Sequence, residues 1–137
     1  MRPTPYLNFD GKCAEAFRFY GRALGAGEPQ LMTFADSNMT EGLSPAEQQQ
    51  IMHARLDLPD GGQLLGSDAP GGRYQKPQGI SVSLEIGTPE EAERIFAGLG
   101  EGGNITMPIQ ETFWAHRFGM LTDRFGIPWM IDCAKPM

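Results

Sequence analysis

The sequence is poor in cysteine, histidine and basic residues, and it has no long apolar run. Its two cysteines, Cys13 and Cys133, lie near opposite ends of a 137-residue chain, outside any CxxC pair or His-flanked cluster. That arrangement excludes zinc-ribbon and dithiol redox motifs, and both are expected to be reduced thiols. Lys and Arg total 11 against 17 Asp and Glu, a formal net charge of -6. No basic stripe is left to neutralise a phosphate backbone, so no nucleic-acid partner is expected. Nowhere do about 18 apolar residues follow one another, the length a bilayer-spanning helix needs. Met1-Arg2-Pro3-Thr4-Pro5 enters a strand-like segment without the charged and apolar regions of a secretion signal. The expectation is a cytoplasmic protein with no membrane partner.

What is present suits one folded domain over residues 1–137. Hydrophobic residues make up 40% and charged residues 20%, a balance that excludes a disordered chain, while 18 Gly and 11 Pro predict many turns. Tyr6 to Phe9 is β-prone, and Asp10-Gly11 precedes Ala14, Phe17, Phe19, Tyr20 and Leu24, whose spacing is helical and marks a core face. Gly25-Ala26-Gly27 stops that helix, and Gln30 to Ala35 reads as a strand. The polar stretch from Asp36 to Gln50 predicts a long, lid-like loop with one helical turn around Ala46 to Gln49. Ile51 to Leu58 and Gln63 to Ser67, joined through Asp60-Gly61-Gly62, form a hairpin.

A polar linker over residues 70–78 leads to a strand beginning at about Gly79, where Ile80, Val82, Leu84 and Ile86 alternate with polar residues. Thr88-Pro89-Glu90-Glu91 predicts a helix start with a Thr88 cap and a Glu91 capping box. The helix runs to about Leu99, and strands follow over Ile105 to Ile109, Phe118 to Thr122 and Trp129 to Cys133. The order βαβββ thus occurs twice, in modules of about 1–69 and 79–137. Glu15-Ala16-Phe17-Arg18-Phe19-Tyr20 is echoed by Glu91-Ala92-Glu93-Arg94-Ile95-Phe96 about 76 residues later, a period too long for a solenoid and fitting one duplicated half-domain.

Several segments carry a family resemblance. They are Pro5-Tyr6-Leu7-Asn8-Phe9 with Ala16-Phe17-Arg18-Phe19-Tyr20, His53-Ala54, Gly66-Ser67-Asp68, Gln110-Glu111-Thr112-Phe113-Trp114, Arg117-Phe118-Gly119 and Asp123-Arg124-Phe125-Gly126-Ile127-Pro128-Trp129-Met130-Ile131. The chain resembles the PhnB-like branch of the glyoxalase/bleomycin-resistance/dioxygenase superfamily, the vicinal oxygen chelate proteins. The resemblance implies an α+β fold of two βαβββ modules whose curled mixed sheets surround a shared cavity, and commonly a homodimer. It also implies that metal-dependent members take four His or Glu ligands from the first and last strands of the modules. Here those positions fall near Tyr6, Ser67, Ser81 and Met130, within a slip of one residue, and none is a ligand of that type. The usual divalent-metal set is expected to be absent, with any cofactor unknown. A methyltransferase label also attaches to this branch, yet Gly100-Glu101-Gly102-Gly103 follows a helix instead of opening one, so no seat for a methyl-donor nucleoside is expected.

The candidate chemistry rests on a few side chains. His53 and His116, the only histidines, each lie on or beside the third strand of a module. Glu111 and His53 are the candidates for proton transfer, Arg117 for anchoring an anionic group, and Trp114 for stacking. A bland alternative is a Glu111 to Arg117 ion pair across a hairpin with Trp114 covering the core edge. Asp68 and Asp132 are read as solvated strand ends. Tyr6 with Asn8, and Ser67, Ser81 and Trp129, are candidate ligand-binding residues, because period-2 alternation puts Tyr6 and Asn8 on one face and Ser81 and Ser83 on one face.

Three functions remain open at this point. One is a small-molecule-binding protein that doubles as a metal-independent lyase or isomerase. A second is a dimer that sequesters an antibiotic-type molecule without chemistry, and a third is an interaction module with a filled interior.

Overall fold

A computed structural model describes residues 1–136. Contacts divide the chain into two compact units, Met1–Gln75 and the remainder from Lys76 onward, with the boundary inside the expected linker. No helix is long and apolar enough to cross a membrane among the described residues.

The first unit runs β1 (Tyr6–Phe9), α1 (Cys13–Ala23), β2 (Gln30–Thr33), α2 (Pro45–Gln48), β3 (Ile51–Asp57) and β4 (Gln63–Asp68). Its sheet has the order β1-β4-β3-β2, with β1 parallel to β4 and the other neighbours antiparallel. Cys13, Ala16, Phe17, Tyr20 and Gly21 are buried at helical spacing, so α1 lays one stripe on the sheet. Phe9, Phe17 and Tyr20 meet edge to face or tilted beneath it. Each such ring contributes about 2–3 kcal/mol on burial. The helix can come this close because β4 carries Gly66, whose missing Cβ would meet Leu7 O and Phe17 Cε1, each at 2.7 Å. Asp68 is not a solvated strand end. It is 4% exposed and accepts the backbone N–H of Cys13 at 3.0 Å and of Ile51 at 2.9 Å.

The loop from Asp36 to Gln50 is less free than its composition suggests. β2 stops at Thr33 because Thr33 N–H donates to Asp36 Oδ2 and Asp36 N–H to Thr33 Oγ1. The full reciprocal capping box forms here, between Ser44 and Glu47 at the start of α2. Glu47 Oε2 then accepts the N–H of Gly71 at 2.9 Å, tying the loop to its own module.

The second unit repeats the plan with β5 (Val82–Glu85), α3 (Pro89–Gly100), β6 (Asn104–Gln110), β7 (Ala115–Thr122) and β8 (Pro128–Ala134). Its sheet order is β5-β8-β7-β6, with β5 parallel to β8. The strand expected from Gly79 begins only at Val82. Thr88 Oγ1 caps α3 by accepting Glu91 N–H at 3.2 Å, while the Glu91 carboxylate turns to Arg94 instead of closing the box. Ala92, Ile95, Phe96 and Leu99 form the buried stripe of α3. Gly119 is its seat, since a Cβ there would meet Phe96 Cε1 at 2.6 Å. Both modules therefore cover one sheet face with a helix and leave the other face without one.

Candidate functional site

Strand alternation sorts the residues of the first sheet onto its two faces. Leu7, Phe9, Ala54, Leu56, Leu64 and Gly66 go under α1 and are buried. Tyr6, Asn8, His53 and Ser67 go to the uncovered face. Asn8 stands opposite Ser67 in the β1–β4 ladder, and Ser67 Oγ lies 3.4 Å from Asn8 Oδ1. The Tyr6 and His53 rings are tilted with centroids 6.5 Å apart, and Met32 pairs with His53 on the neighbouring strand. The charges beside this group are internally matched, since Arg55 Nε donates to Asp57 Oδ1 at 2.9 Å. The result is a face offering a phenol, an amide, a hydroxyl and an imidazole. Such groups exchange hydrogen bonds with a ligand of either polarity.

The second module distributes its candidates differently. Glu111 and Arg117 take different ionic partners. Glu111 Oε2 pairs with Lys135 Nζ at 3.0 Å, and Arg117 Nε turns to Glu93 of α3 at 3.3 Å while its Nη1 donates to the carbonyl of His116 at 2.6 Å. The alternative of a Glu111 to Arg117 ion pair is thus replaced by two separate pairs. The hydrogen bond and charge of Lys135 hold the Glu111 carboxyl below the usual carboxylate range, with weaker help from Arg117 and His116. Trp114 is 44% exposed and stacks edge-on with Phe113 at 4.8 Å and Phe118 at 5.4 Å.

Trp129 lies in the core. It is 0% exposed, stands opposite Val82 on the helix side, and donates its indole N–H to Asp123 Oδ2 at 2.8 Å. Ser81 precedes β5 and is exposed; it is Ser83 that stands opposite Met130.

The face of the second sheet that carries no helix brings together residues of all four strands. Across it run two hydrogen-bonded rows, Ser83–Met130–Met120–Met107 and Glu85–Asp132–Phe118–Gln110. Asp132 is half-buried and not a fully solvated end, and its Oδ1 is buried with no hydrogen-bond partner. A signal for it existed, since Trp129, Ile131 and Cys133 alternate as the buried set and leave Met130 and Asp132 to the other face.

A resident divalent metal fits neither face. The first offers amide and hydroxyl oxygens with one imidazole, and the second offers two carboxylates with thioethers. Among the described residues no three His, Cys, Asp or Glu side chains gather. At the N-terminus of α1, where β1 turns into a helix, the Asp68 carboxylate accepts the Cys13 N–H and sets a negative group where an anionic ligand would dock.

Two βαβββ modules with open four-stranded mixed sheets make up the fold of the glyoxalase/bleomycin-resistance/dioxygenase proteins. A domain so described from Frankia sp. EAN1pec shares the fold at 14% identity and a TM-score of 0.64, covering 98% of each chain. Residues 2–132 match the family described as 3-demethylubiquinone-9 3-methyltransferase, and the chain belongs to that family. It is 37% identical to Protein YjdN of Escherichia coli K12, over 98% of this chain and 97% of that protein. The crystal structure of protein PA1353 from Pseudomonas aeruginosa is 40% identical, with a TM-score of 0.85 and 99% of both chains covered.

Proposed function

We propose that this protein binds a small organic molecule on the uncovered faces of its sheets, through neutral hydrogen-bonding groups and without a resident divalent metal. The observation that carries the reading is that Tyr6, Asn8, His53 and Ser67 share one face of the first sheet, opposite the face that α1 seals. A concave or open sheet face with a few polar groups among apolar ones is the usual form of a small-molecule site. Imidazole is the side chain suited to moving a proton near neutral pH, so any isomerase- or lyase-type step runs through His53, with Tyr6 as its neighbour. Methyl transfer, the activity in the family's description, gains no support from the N-terminus of α1, where Asp68 already accepts the Cys13 N–H.

The test is a panel of small polar and aromatic compounds screened by amide chemical-shift changes on the isotope-labelled protein. Binding should shift β1, β3 and β4, and Asn8→Ala or Ser67→Ala should weaken it about five- to tenfold. Compounds that bind while leaving this face unshifted would overturn the reading. Ligand recovered unchanged after long incubation identifies sequestration, and a product lost in His53→Ala identifies catalysis.

A further inference from the structure

We propose that the uncovered face of the second sheet is a seat for an organic ammonium group, a protonated amine with at least one N–H on an apolar or aromatic body. The inference rests on the reading that the open faces bind small organic molecules, and it assigns the ligand class for the second module.

Asp132 and Glu85 stand side by side in the β5–β8 ladder, both on the open face. The Asp132 side chain is half-buried, and its Oδ1, on the sheltered side of the carboxylate, receives no hydrogen bond from the protein. A buried carboxylate oxygen without a donor is a costly arrangement that a bound donor relieves, most strongly a cationic one. The protein's own cations do not supply it. Arg94, Arg117, Arg124 and Lys135 pair instead with Glu91, Glu93, Glu101 and Glu111.

The surroundings suit the body that such a cation would carry. Phe118 stands opposite Asp132 in the same hydrogen-bonded row, and Trp114 stacks on Phe118. One pleat away, about 7 Å along the strands, lie Met120 and Met130, paired with each other. Aromatic rings attract a cation through their negative faces, and thioethers adapt to irregular apolar shapes. An anion is rejected by the two carboxylates. A quaternary ammonium satisfies the rings and leaves Asp132 Oδ1 without a donor, so the N–H is part of the specificity.

The experiment compares four probes of one shape on the intact wild-type chain: benzylammonium, benzyltrimethylammonium, benzyl alcohol and phenylacetate. Methionine-methyl and tryptophan-indole resonances report on binding. Benzylammonium should shift Met120, Met130 and Trp114 saturably, at least about tenfold more tightly than the other three probes. Asp132→Asn should remove that advantage while leaving weak benzyl alcohol binding in place. Equal affinity for all four probes on this face overturns the ammonium assignment and leaves the small-molecule reading standing. A benzyltrimethylammonium affinity equal to that of benzylammonium overturns the N–H requirement. If none of the four binds, both the assignment and the small-molecule reading fail for this module. These outcomes come from the wild-type protein, so they stand even where Asp132→Asn does not fold.

Discussion

The indole N–H of Trp129 donates to Asp123 Oδ2 at 2.8 Å, and the same aspartate accepts the backbone N–H groups of Phe125 and Ile127 through Oδ1 at 2.8 and 3.1 Å. One carboxylate, 3% exposed, therefore folds the β7–β8 turn and fixes the largest core ring of the second module.

Asp123→Ala should cost about 3 kcal/mol or more, because it orphans three buried or half-buried donors at once. Thermal unfolding with Trp fluorescence measures it. A loss below about 1 kcal/mol would mean that the turn is held by other contacts.

Gly66→Ala should destabilise the first module by about 1–3 kcal/mol, since its Cβ meets backbone as well as the Phe17 ring. Gly87→Ala is the control. Its Cβ would have nothing within 4 Å and its φ is not positive, so it should be neutral or slightly stabilising. Denaturant midpoints of the two variants, measured side by side, decide the matter.

Glu111 titrates below the usual carboxylate range because Lys135 favours its charged form. With the folded value depressed, the pair's contribution is present above the ordinary carboxylate range and is lost as pH falls through the folded value. The pair is exposed and screened by solvent, so the effect on stability is small. Lys135→Ala should move the Glu111 carboxyl upward, as read by carboxylate carbon chemical shift against pH. An unmoved titration would show that Lys135 is not the cause. At neutral pH Glu111 is a carboxylate, and any proton transfer through it begins as a base.

Burial and the adjacent Asp68 carboxylate push the Cys13 thiol far up from its ordinary range. Cys13 and Cys133 are free and buried. Neither thiol should react with an alkylating or disulfide reagent in the native protein, and both should react on denaturation. Fast labelling of native Cys13 at neutral pH would contradict the Asp68 placement.

Much of this fold is legible in the sequence because its signals are local. Phe17, Tyr20 and Leu24 keep a helical period, Thr88 and Pro89 announce α3, and Asp60-Gly61-Gly62 turns the β3–β4 hairpin. The shared face of Tyr6 and Asn8 is legible for the same reason, as alternation within one strand. Placement that depends on a second strand is not. Ser83 lies beside Met130 only because of the β5–β8 register, and nothing near Arg117 in sequence reveals Glu93, a partner 24 residues away. Trp129 is a candidate ligand residue in the sequence, and its burial follows from the Asp123 turn and the register with Val82. Asp132 is the converse case, a strand-end carboxylate whose importance lies in a missing hydrogen bond that no sequence pattern displays.

Gly66 and Gly119 let each helix settle directly on its sheet, and this has an evolutionary consequence. Because neighbouring strand residues point to opposite sides, each position answers to only one demand, either the helix or the open face. Descendants of such a chain can exchange Asn8, Ser67, Met130 or Asp132 for other side chains while the register and the helix seats persist. The helix seats therefore leave the chemistry of the open faces free to be re-specified by single substitutions without rebuilding the modules.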